Sequence, residues 1–114
     1  MKIWIDGSGW NGRVSRYALA FEDGKTEIVE TAEDKTNNTM EYAALIKALE
    51  EAKNGDEILT DSKLIVGQVT GGWKIHKPHL FEFVAKAKKL LKEKDVKIRW
   101  LPREENKAGH LLEC

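Results

Sequence analysis

Cysteine is almost absent from this chain of 114 residues, which has only Cys114 at its last position. One cysteine cannot form a disulfide within the chain, so the class of small secreted domains held by disulfides is excluded. No stretch resembles a signal peptide or a membrane span, and we therefore expect a cytoplasmic protein. A chain of this length can bury one hydrophobic core, which predicts a single domain over residues 1–114.

The chain also lacks an excess of either charge, because 19 Lys and Arg residues balance 19 Asp and Glu residues. A zero net charge argues against a strongly basic nucleic-acid binder. The two parts of the chain differ, since residues 1–61 carry 7 basic and 13 acidic side chains, whereas residues 62–114 carry 12 and 6. Such asymmetry fits a carboxylate metal site beside a polyanion track, and it equally fits an uneven charge distribution without function.

Short hydrophobic segments separated by turn signals predict an α/β fold. Segments rich in β-branched and aromatic residues predict strands over residues 2–6, 17–21, 26–31, 57–61 and 96–100. Helical periodicity and helix-start signals predict helices over residues 37–52, 62–70, 79–92 and 102–114. This order lets the first, fourth and fifth strands pair in parallel. We therefore predict a five-stranded mixed sheet, three antiparallel strands followed by two parallel ones, with helices on both faces.

Three acidic residues stand at the ends of these elements. Asp61 follows an apolar strand and precedes a helix, so it lies at the sheet edge where open α/β folds bind ligands. Taken alone, Asp61 is most simply a helix N-cap. Glu41 lies on the apolar stripe of its helix, and together with Asn38 it also resembles a capping box. Asp6 ends the first strand.

The predicted strand order brings these three acids together. Asp6 and Asp61 end neighbouring parallel strands, and the helix between the third and fourth strands carries Glu41 over the same edge. Carboxylates at close range repel one another, and an unpaired buried charge is costly, so we infer a cation among them. Sites built from oxygen ligands alone suit Mg²⁺ or Mn²⁺. Asp6, Glu41 and Asp61 are therefore predicted metal ligands and catalytic residues.

Four motifs in this order resemble the type 1 ribonuclease H family. They are Ile5-Asp6-Gly7-Ser8-Gly9, Thr36-Asn37-Asn38-Thr39-Met40-Glu41-Tyr42-x-Ala44-Leu45, Thr60-Asp61-Ser62 and Trp100-Leu-Pro-Arg-Glu-Glu-Asn-Lys107. The resemblance covers essentially the whole chain and implies the ribonuclease H fold. It also implies a metal-dependent endonuclease that cleaves the RNA strand of RNA/DNA hybrids and leaves 5′-phosphate and 3′-hydroxyl ends.

The same resemblance implies two divalent cations, Mg²⁺ or Mn²⁺, with Asp6 bridging them and with Glu41 and Asp61 holding the ion on the leaving-group side. Two such ions about 4 Å apart can activate the attacking water and stabilise the leaving oxygen. The implied partner is an RNA/DNA hybrid, and double-stranded RNA is a second candidate because it exposes the same 2′-hydroxyls. We expect a monomer without a membrane partner.

The chain departs from the family at the fourth acidic position, where His110 replaces an aspartate. One interpretation makes His110 a metal ligand and a catalytic residue through a neutral imidazole nitrogen, which would favour Mn²⁺. A second gives this role to Glu113, one helical turn further on the same face. In a third, three carboxylates suffice and His110 shuttles protons or has no role. Loss of cleavage would leave a nucleic-acid-binding module.

By resemblance, a further set of residues contacts the substrate. The minor groove would be reached by Asn37, Asn38 and Gln68. Helix capping is an alternative explanation for the two asparagines. The backbone of Gly7, Ser8 and Gly9 would lie against RNA 2′-hydroxyls, and Thr36 would donate to a DNA phosphate.

Trp73 and Lys74 lie where many relatives carry a basic, aromatic protrusion that grips the DNA strand. The short loop with few charges found here predicts weaker, strongly salt-dependent binding. An alternative interpretation places Trp73 in the core. Trp4 and Trp100 lie on predicted central strands and are expected in the core.

Overall fold

The computed structural model describes residues 1–113, and within them five strands form one mixed sheet. The strands are β1 (Lys2–Ser8), β2 (Ser15–Phe21), β3 (Thr26–Thr31), β4 (Glu57–Thr60) and β5 (Lys97–Trp100). Their order across the sheet is β3-β2-β1-β4-β5, antiparallel from β3 to β1 and parallel from β1 to β5. The predicted α/β fold with a five-stranded mixed sheet is confirmed. Cys114 lies outside the described residues.

Four α-helices are described over residues 1–113, namely α1 (Asn37–Glu51), α2 (Lys63–Thr70), α3 (Phe81–Glu93) and α4 (Lys107–Leu112). Short 3-10 helices at Pro78–Leu80 and Arg103–Glu105 precede α3 and α4. The prediction of one continuous helix from residue 102 is therefore wrong, because Asn106 caps α4 after the 3-10 turn. No helix of the described part combines the length and the hydropathy needed to span a membrane.

Hydrophobic side chains pack on both faces of the sheet because alternate strand residues point to opposite sides. Ile3 and Ile5 of β1 belong to the cluster beneath α1 and α3, and Trp4 belongs to a second cluster with residues of α4. Trp4 is 7% exposed and is a core residue as predicted. Trp100 is 41% exposed, so its predicted place in the core is wrong. It lies on β5, an edge strand.

Lys94 lies between α3 and β5, and its side chain caps the carboxyl end of α1. Its Nζ donates to the carbonyl oxygens of Leu49, Glu50 and Ala52 at 2.7, 2.8 and 2.9 Å. The last carbonyls of a helix have no partner within the helix, and a cation at this end also opposes the helix dipole. This one side chain therefore fixes α1, which carries Glu41 at its other end, to the start of β5.

Candidate active site

Three carboxylates meet at the carboxyl ends of β1 and β4. Ligand oxygens of Asp6, Glu41 and Asp61 all lie within 4.8 Å of one another. Trp4 pairs with Leu59 in the parallel β1–β4 ladder, so the two strands deliver Asp6 and Asp61 to the same edge of the sheet. The structure therefore brings together the three acids that the sequence predicted to converge.

Glu41 reaches this cluster because α1 packs directly on the end of β1. A Cβ atom built on Gly7 would lie 2.3 Å from the backbone nitrogen of Glu41, so only glycine allows this approach. A Cβ atom on Gly9 would lie 2.7 Å from the backbone nitrogen of Asn37, and the Gly9 amide donates to Asn37 Oδ1 at 2.5 Å. Both glycines are explained by packing within the protein. Their contact with RNA, like that of Ser8, stays a prediction.

Neither Glu41 nor Asp61 acts as the helix cap that it resembles in the sequence. Thr36 caps α1 and Ser62 caps α2, each accepting a hydrogen bond from the backbone N–H three residues further on. The capping box of Asn38 with Glu41 and the N-cap role of Asp61 are therefore wrong as predictions. Because neighbouring hydroxyls satisfy the helix ends, both carboxylates are available to the cluster.

Asp6 is the most buried of the three acids, at 3% exposed. Its Oδ1 has no hydrogen-bond partner within residues 1–113. The cation beside it is Arg103, whose Nη1 lies 3.6 Å from Asp6 Oδ1 and 3.3 Å from Asp61 Oδ2. The Arg103 side chain is 58% exposed, so solvent weakens its attraction. A buried carboxylate oxygen without a partner is unusual, and it fits a place for a cation.

Burial and mutual repulsion raise the pKa of two of these acids. Desolvation, and then the charge of Asp61, raises the pKa of Asp6 from 3.8 to about 6. Desolvation, and then the charges of Asp6 and Asp61, raises the pKa of Glu41 from 4.5 to about 7. A hydrogen bond from Ser62 and the charge of Arg103 oppose the rise at Glu41. A divalent cation stabilises the ionised forms that burial disfavours, so this set of oxygen donors fits such an ion.

Asn106 supports the cluster, although sequence analysis assigns it no role beyond its place in a motif. This residue is fully buried, and its Nδ2 donates to the Ile5 carbonyl oxygen at 2.9 Å and to Asp61 Oδ2 at 3.1 Å. Its Oδ1 accepts from the amides of Ala108 and Gly109 at the start of α4. One side chain therefore joins β1, Asp61 and α4. Arg103 lies in the same motif, and sequence analysis likewise assigns it no role of its own.

His110 lies on α4 with its side chain exposed, and it is not one of the residues whose ligand atoms cluster within 4.8 Å. Its helix nevertheless passes close to the site, because a Cβ atom on Gly109 would lie 3.5 Å from Asp6 Oδ2. Glu113 is also exposed and follows the last residue of α4 with extended backbone. The prediction that Glu113 continues the helix face of His110 is therefore wrong.

The residues predicted to contact the minor groove differ in exposure. Asn37 is exposed at the start of α1, and Asn38 is half-buried beside it. Gln68 is 2% exposed, so its side chain has little surface to offer in this structure, and its contact with substrate stays a prediction. Its Oε1 accepts from the Tyr42 hydroxyl at 2.6 Å and its Nε2 donates to the Lys74 carbonyl oxygen at 3.4 Å. Gln68 thus holds the chain after α2 against α1.

Trp73 and Lys74 are exposed in the segment after α2. Trp73 is 54% exposed, so the alternative that it belongs to the core is wrong. Its ring packs on Gly67, where a Cβ atom would lie 2.0 Å from Trp73 Cδ2. Trp100 is fixed beside the cluster, because its Nε1 donates to the Asp61 carbonyl oxygen at 3.1 Å.

Comparison with known proteins gives the family. The model of the RNase H family matches residues 1–109. The chain belongs to the RNase H family. The resemblance seen in the four sequence motifs is thereby confirmed, and the carboxylate cluster lies in an RNase H domain.

This RNase H domain has relatives of greater length. It is 38% identical over 76 residues to the Bifunctional protein Rv2228c of Mycobacterium tuberculosis and 38% identical over 82 residues to the Ribonuclease HI of Halobacterium salinarum. These alignments cover 62% and 68% of this chain. They cover 21% and 41% of the two relatives, so the chain spans less than half the length of either.

Solved RNase H structures share the fold over nearly the whole chain. RNase H1 from the halophilic archaeon Halobacterium salinarum superposes with a TM-score of 0.75 at 29% identity, covering 97% of this chain and 92% of that one. LC11-RNase H1, solved in complex with an RNA/DNA hybrid, gives a TM-score of 0.76 at 30% identity, covering 97% and 91%.

Proposed function

We propose that this RNase H domain is an endonuclease that hydrolyses the RNA strand of RNA/DNA hybrids and leaves 5′-phosphate and 3′-hydroxyl ends. The observation that carries the proposal is the cluster of three carboxylates within 4.8 Å, with one buried oxygen lacking a partner among the described residues. The complex of LC11-RNase H1 with a hybrid supports the substrate class.

Asp6, Glu41 and Asp61 would hold two divalent cations, Mg²⁺ or Mn²⁺. When bound, these ions supply an activated water and stabilise the charge that develops on the leaving oxygen. Asn106 orients Asp61 by donating to its Oδ2, and Arg103 offsets part of the negative charge of Asp6 and Asp61. The buried position of Asp6 limits the water that competes for its oxygens.

The fourth position of the metal site is assigned in this proposal to His110. The proximity of α4 to Asp6 at Gly109 supports the assignment, and an exposed side chain is free to change its rotamer. An imidazole ligand would favour Mn²⁺ over Mg²⁺. His110→Ala should then weaken Mn²⁺ binding at least tenfold in calorimetric titration, since the loss of even an outer-shell partner of a metal ligand typically costs roughly 10–100-fold in affinity. Unchanged affinity in His110→Ala, together with loss in Glu113→Ala, would transfer the role to Glu113.

The function is tested with labelled hybrid, duplex RNA and duplex DNA in Mg²⁺ and in Mn²⁺. Hybrid cleavage by the wild type, and its loss in Asp61→Asn, are the expected results. Asp95→Asn is the matched control, because Asp95 is exposed and lies outside the cluster. An uncleaved hybrid in both metals would refute the nuclease proposal.

Two related functions are outcomes of the same assay. Cleavage of duplex RNA as well would extend the substrate class, since it exposes the same 2′-hydroxyls as the hybrid. Retained hybrid binding without cleavage would identify a binding module. The position of His110 outside the clustered ligand atoms is the observation that favours this second outcome.

A further inference from the structure

An open groove of about 340 Å³ lies beside α2 and outside the carboxylate cluster. Two indoles line it, those of Trp73 and Trp100, and both are more than one-third exposed. The third large lining residue is Lys63, whose Nζ lies 4.9 Å from the centre of the Trp100 ring. The remaining lining residues are Val66, Gly67, Thr70 and Gly71. Within the described chain, the lining of this groove is thus neutral or cationic and holds no carboxylate.

The two indoles are held in place by the backbone of neighbouring elements. Gly67 lets the Trp73 ring pack against its Cα, and the Gly67 carbonyl oxygen accepts from the Trp73 amide at 2.9 Å. Trp100 is held by its bond from Nε1 to the Asp61 carbonyl oxygen. Aromatic side chains with fixed positions lose little conformational freedom when a ligand binds. The groove is therefore formed before a ligand arrives.

We propose that this groove binds an unpaired nucleotide of a strand that extends beyond the RNA/DNA hybrid. The proposal rests on the function proposed above. Exposed indoles offer surfaces on which a base can stack, and Lys63 attracts the phosphate of the same nucleotide. Bases inside a duplex are already stacked on their neighbours and cannot use these surfaces, whereas an unpaired base can. A volume at the lower end of the usual range for ligand pockets, roughly 300–1,000 Å³, suits one nucleotide.

The groove is continuous with the proposed catalytic site. Trp100 contacts the backbone of Asp61, and Lys63 follows Asp61 by two residues in the first turn of α2. A strand that leaves the carboxylate cluster along α2 therefore meets Lys63 and the two indoles. A hybrid with a single-stranded extension should bind through the catalytic edge and the groove at once, whereas a blunt hybrid uses the edge alone.

The test compares a fluorescent blunt hybrid with the same hybrid carrying four unpaired nucleotides on either strand at either end. Affinity is measured by anisotropy in Ca²⁺, and substrate integrity is checked on a gel after each titration. We expect at least one extended hybrid to bind on the order of tenfold more tightly than the blunt one, as base stacking on aromatics usually provides. Trp73→Ala and Lys63→Ala should reduce that ratio toward one.

Matched controls are available in α3. Phe81→Ala removes an aromatic side chain of similar exposure, and Lys88→Ala removes an exposed lysine, both outside the groove. Both variants should keep the wild-type ratio between extended and blunt hybrids. An extension built from abasic nucleotides tests the same point without a protein variant, because it keeps the phosphates and removes the bases.

Three results would overturn the groove proposal. The first is equal affinity for blunt and extended hybrids. The second is an abasic extension that raises affinity as much as an extension with bases. The third is an extended-to-blunt affinity ratio that Phe81→Ala lowers as much as Trp73→Ala does. Cleavage of the blunt hybrid in Mg²⁺ or Mn²⁺ is measured in parallel. Cleavage without a preference for extensions defeats the groove proposal alone, and a preference without cleavage defeats the nuclease proposal alone.

Discussion

Asn106 donates a hydrogen bond of 3.1 Å to Asp61 Oδ2 from a position with no exposed surface. The same amide group donates to the Ile5 carbonyl oxygen, one residue before Asp6. Asn106 therefore ties two of the clustered carboxylates to one rigid point. Because a buried amide in this position binds protein groups on both sides, it sets the relative position of the acids and does not itself face the substrate.

Replacing Asn106 should weaken both the fold and the site. Asn106→Ala leaves the buried Ile5 carbonyl oxygen without a donor and removes the cap of α4. We expect a loss of about 3 kcal/mol in the free energy of unfolding, measured with urea. Asn54→Ala is the control, since this exposed side chain accepts one hydrogen bond from the Asp95 amide and should cost about 1 kcal/mol or less. Equal losses in the two variants would contradict the role given to Asn106.

The contribution of Asp6 and Glu41 to the stability of chelator-treated protein should fall as the pH rises from about 4 to 7. Burial raises the pKa of Asp6 to about 6 and that of Glu41 to about 7, so the folded state binds protons that the unfolded state has released. The stabilisation that comes from protonated Asp6 and Glu41 is fully present below the pKa values of the unfolded state. It is lost as the pH rises through the pKa values of the folded state. Each of the two groups should contribute a loss of about 3 kcal/mol.

Thermal unfolding in EDTA across this pH range measures the effect. Asp6→Asn should be more stable than the wild type at pH 7 and should show a weaker dependence on pH, because the amide has no proton to lose. Mn²⁺ should stabilise the wild type most at pH 7 and above, where the carboxyl groups are ionised. An identical pH dependence of the wild type and Asp6→Asn in EDTA would contradict the assigned burial and repulsion.

Arg103 should compete with divalent cations for Asp6 and Asp61. Its Nη1 lies 3.3–3.6 Å from both carboxylates, and its exposure allows it to leave. Arg103→Ala should therefore bind Mn²⁺ severalfold more tightly in calorimetric titration at pH 8. Arg99→Ala serves as the control, because Arg99 pairs with Glu57 away from the cluster. Weaker Mn²⁺ binding in Arg103→Ala than in Arg99→Ala would show that Arg103 supports the ion.

Lys94 should stabilise the fold far more than the other lysines of its region. Lys94→Met keeps much of the aliphatic chain but leaves three carbonyl oxygens of α1 without their donor. The expected loss in urea is about 2 kcal/mol, from charge-assisted hydrogen bonds and the helix dipole. Lys92→Met, at an exposed position in the last turn of α3, should change stability by less than about 0.5 kcal/mol.

The fold and the three acids could be predicted from the sequence because each depends on simple periodicities. The order of strands and helices along the chain predicts the strand order in the sheet. Acids at the carboxyl ends of parallel strands lie at the same edge, and this does not depend on the neighbouring side chains. The predicted helix caps differ from the observed ones because Asn38 and Asp61 are residue types that often cap helices, whereas Thr36 and Ser62 provide the caps here. Choosing between adjacent polar residues requires backbone angles that the sequence does not contain.

The burial of individual side chains is harder to predict from the sequence than the fold. Gln68 looks like a surface amide, but the Tyr42 hydroxyl and the Lys74 carbonyl oxygen satisfy it in the interior. Trp100 looks like core, but it ends an edge strand and stays exposed. Both outcomes depend on contacts between residues distant in sequence. The position of His110 relative to the carboxylates also depends on such contacts, because Asn106 caps the start of α4.

Cleavage of an RNA/DNA hybrid labelled at the 5′ end of its RNA strand tests the central claim most directly. The wild type in Mg²⁺ or Mn²⁺ should produce shortened RNA fragments with 3′-hydroxyl ends and leave the DNA strand intact, and Glu41→Gln should produce none. Intact RNA with the wild type in both metals, or equal cleavage by Glu41→Gln, would contradict a nuclease site built on Asp6, Glu41 and Asp61.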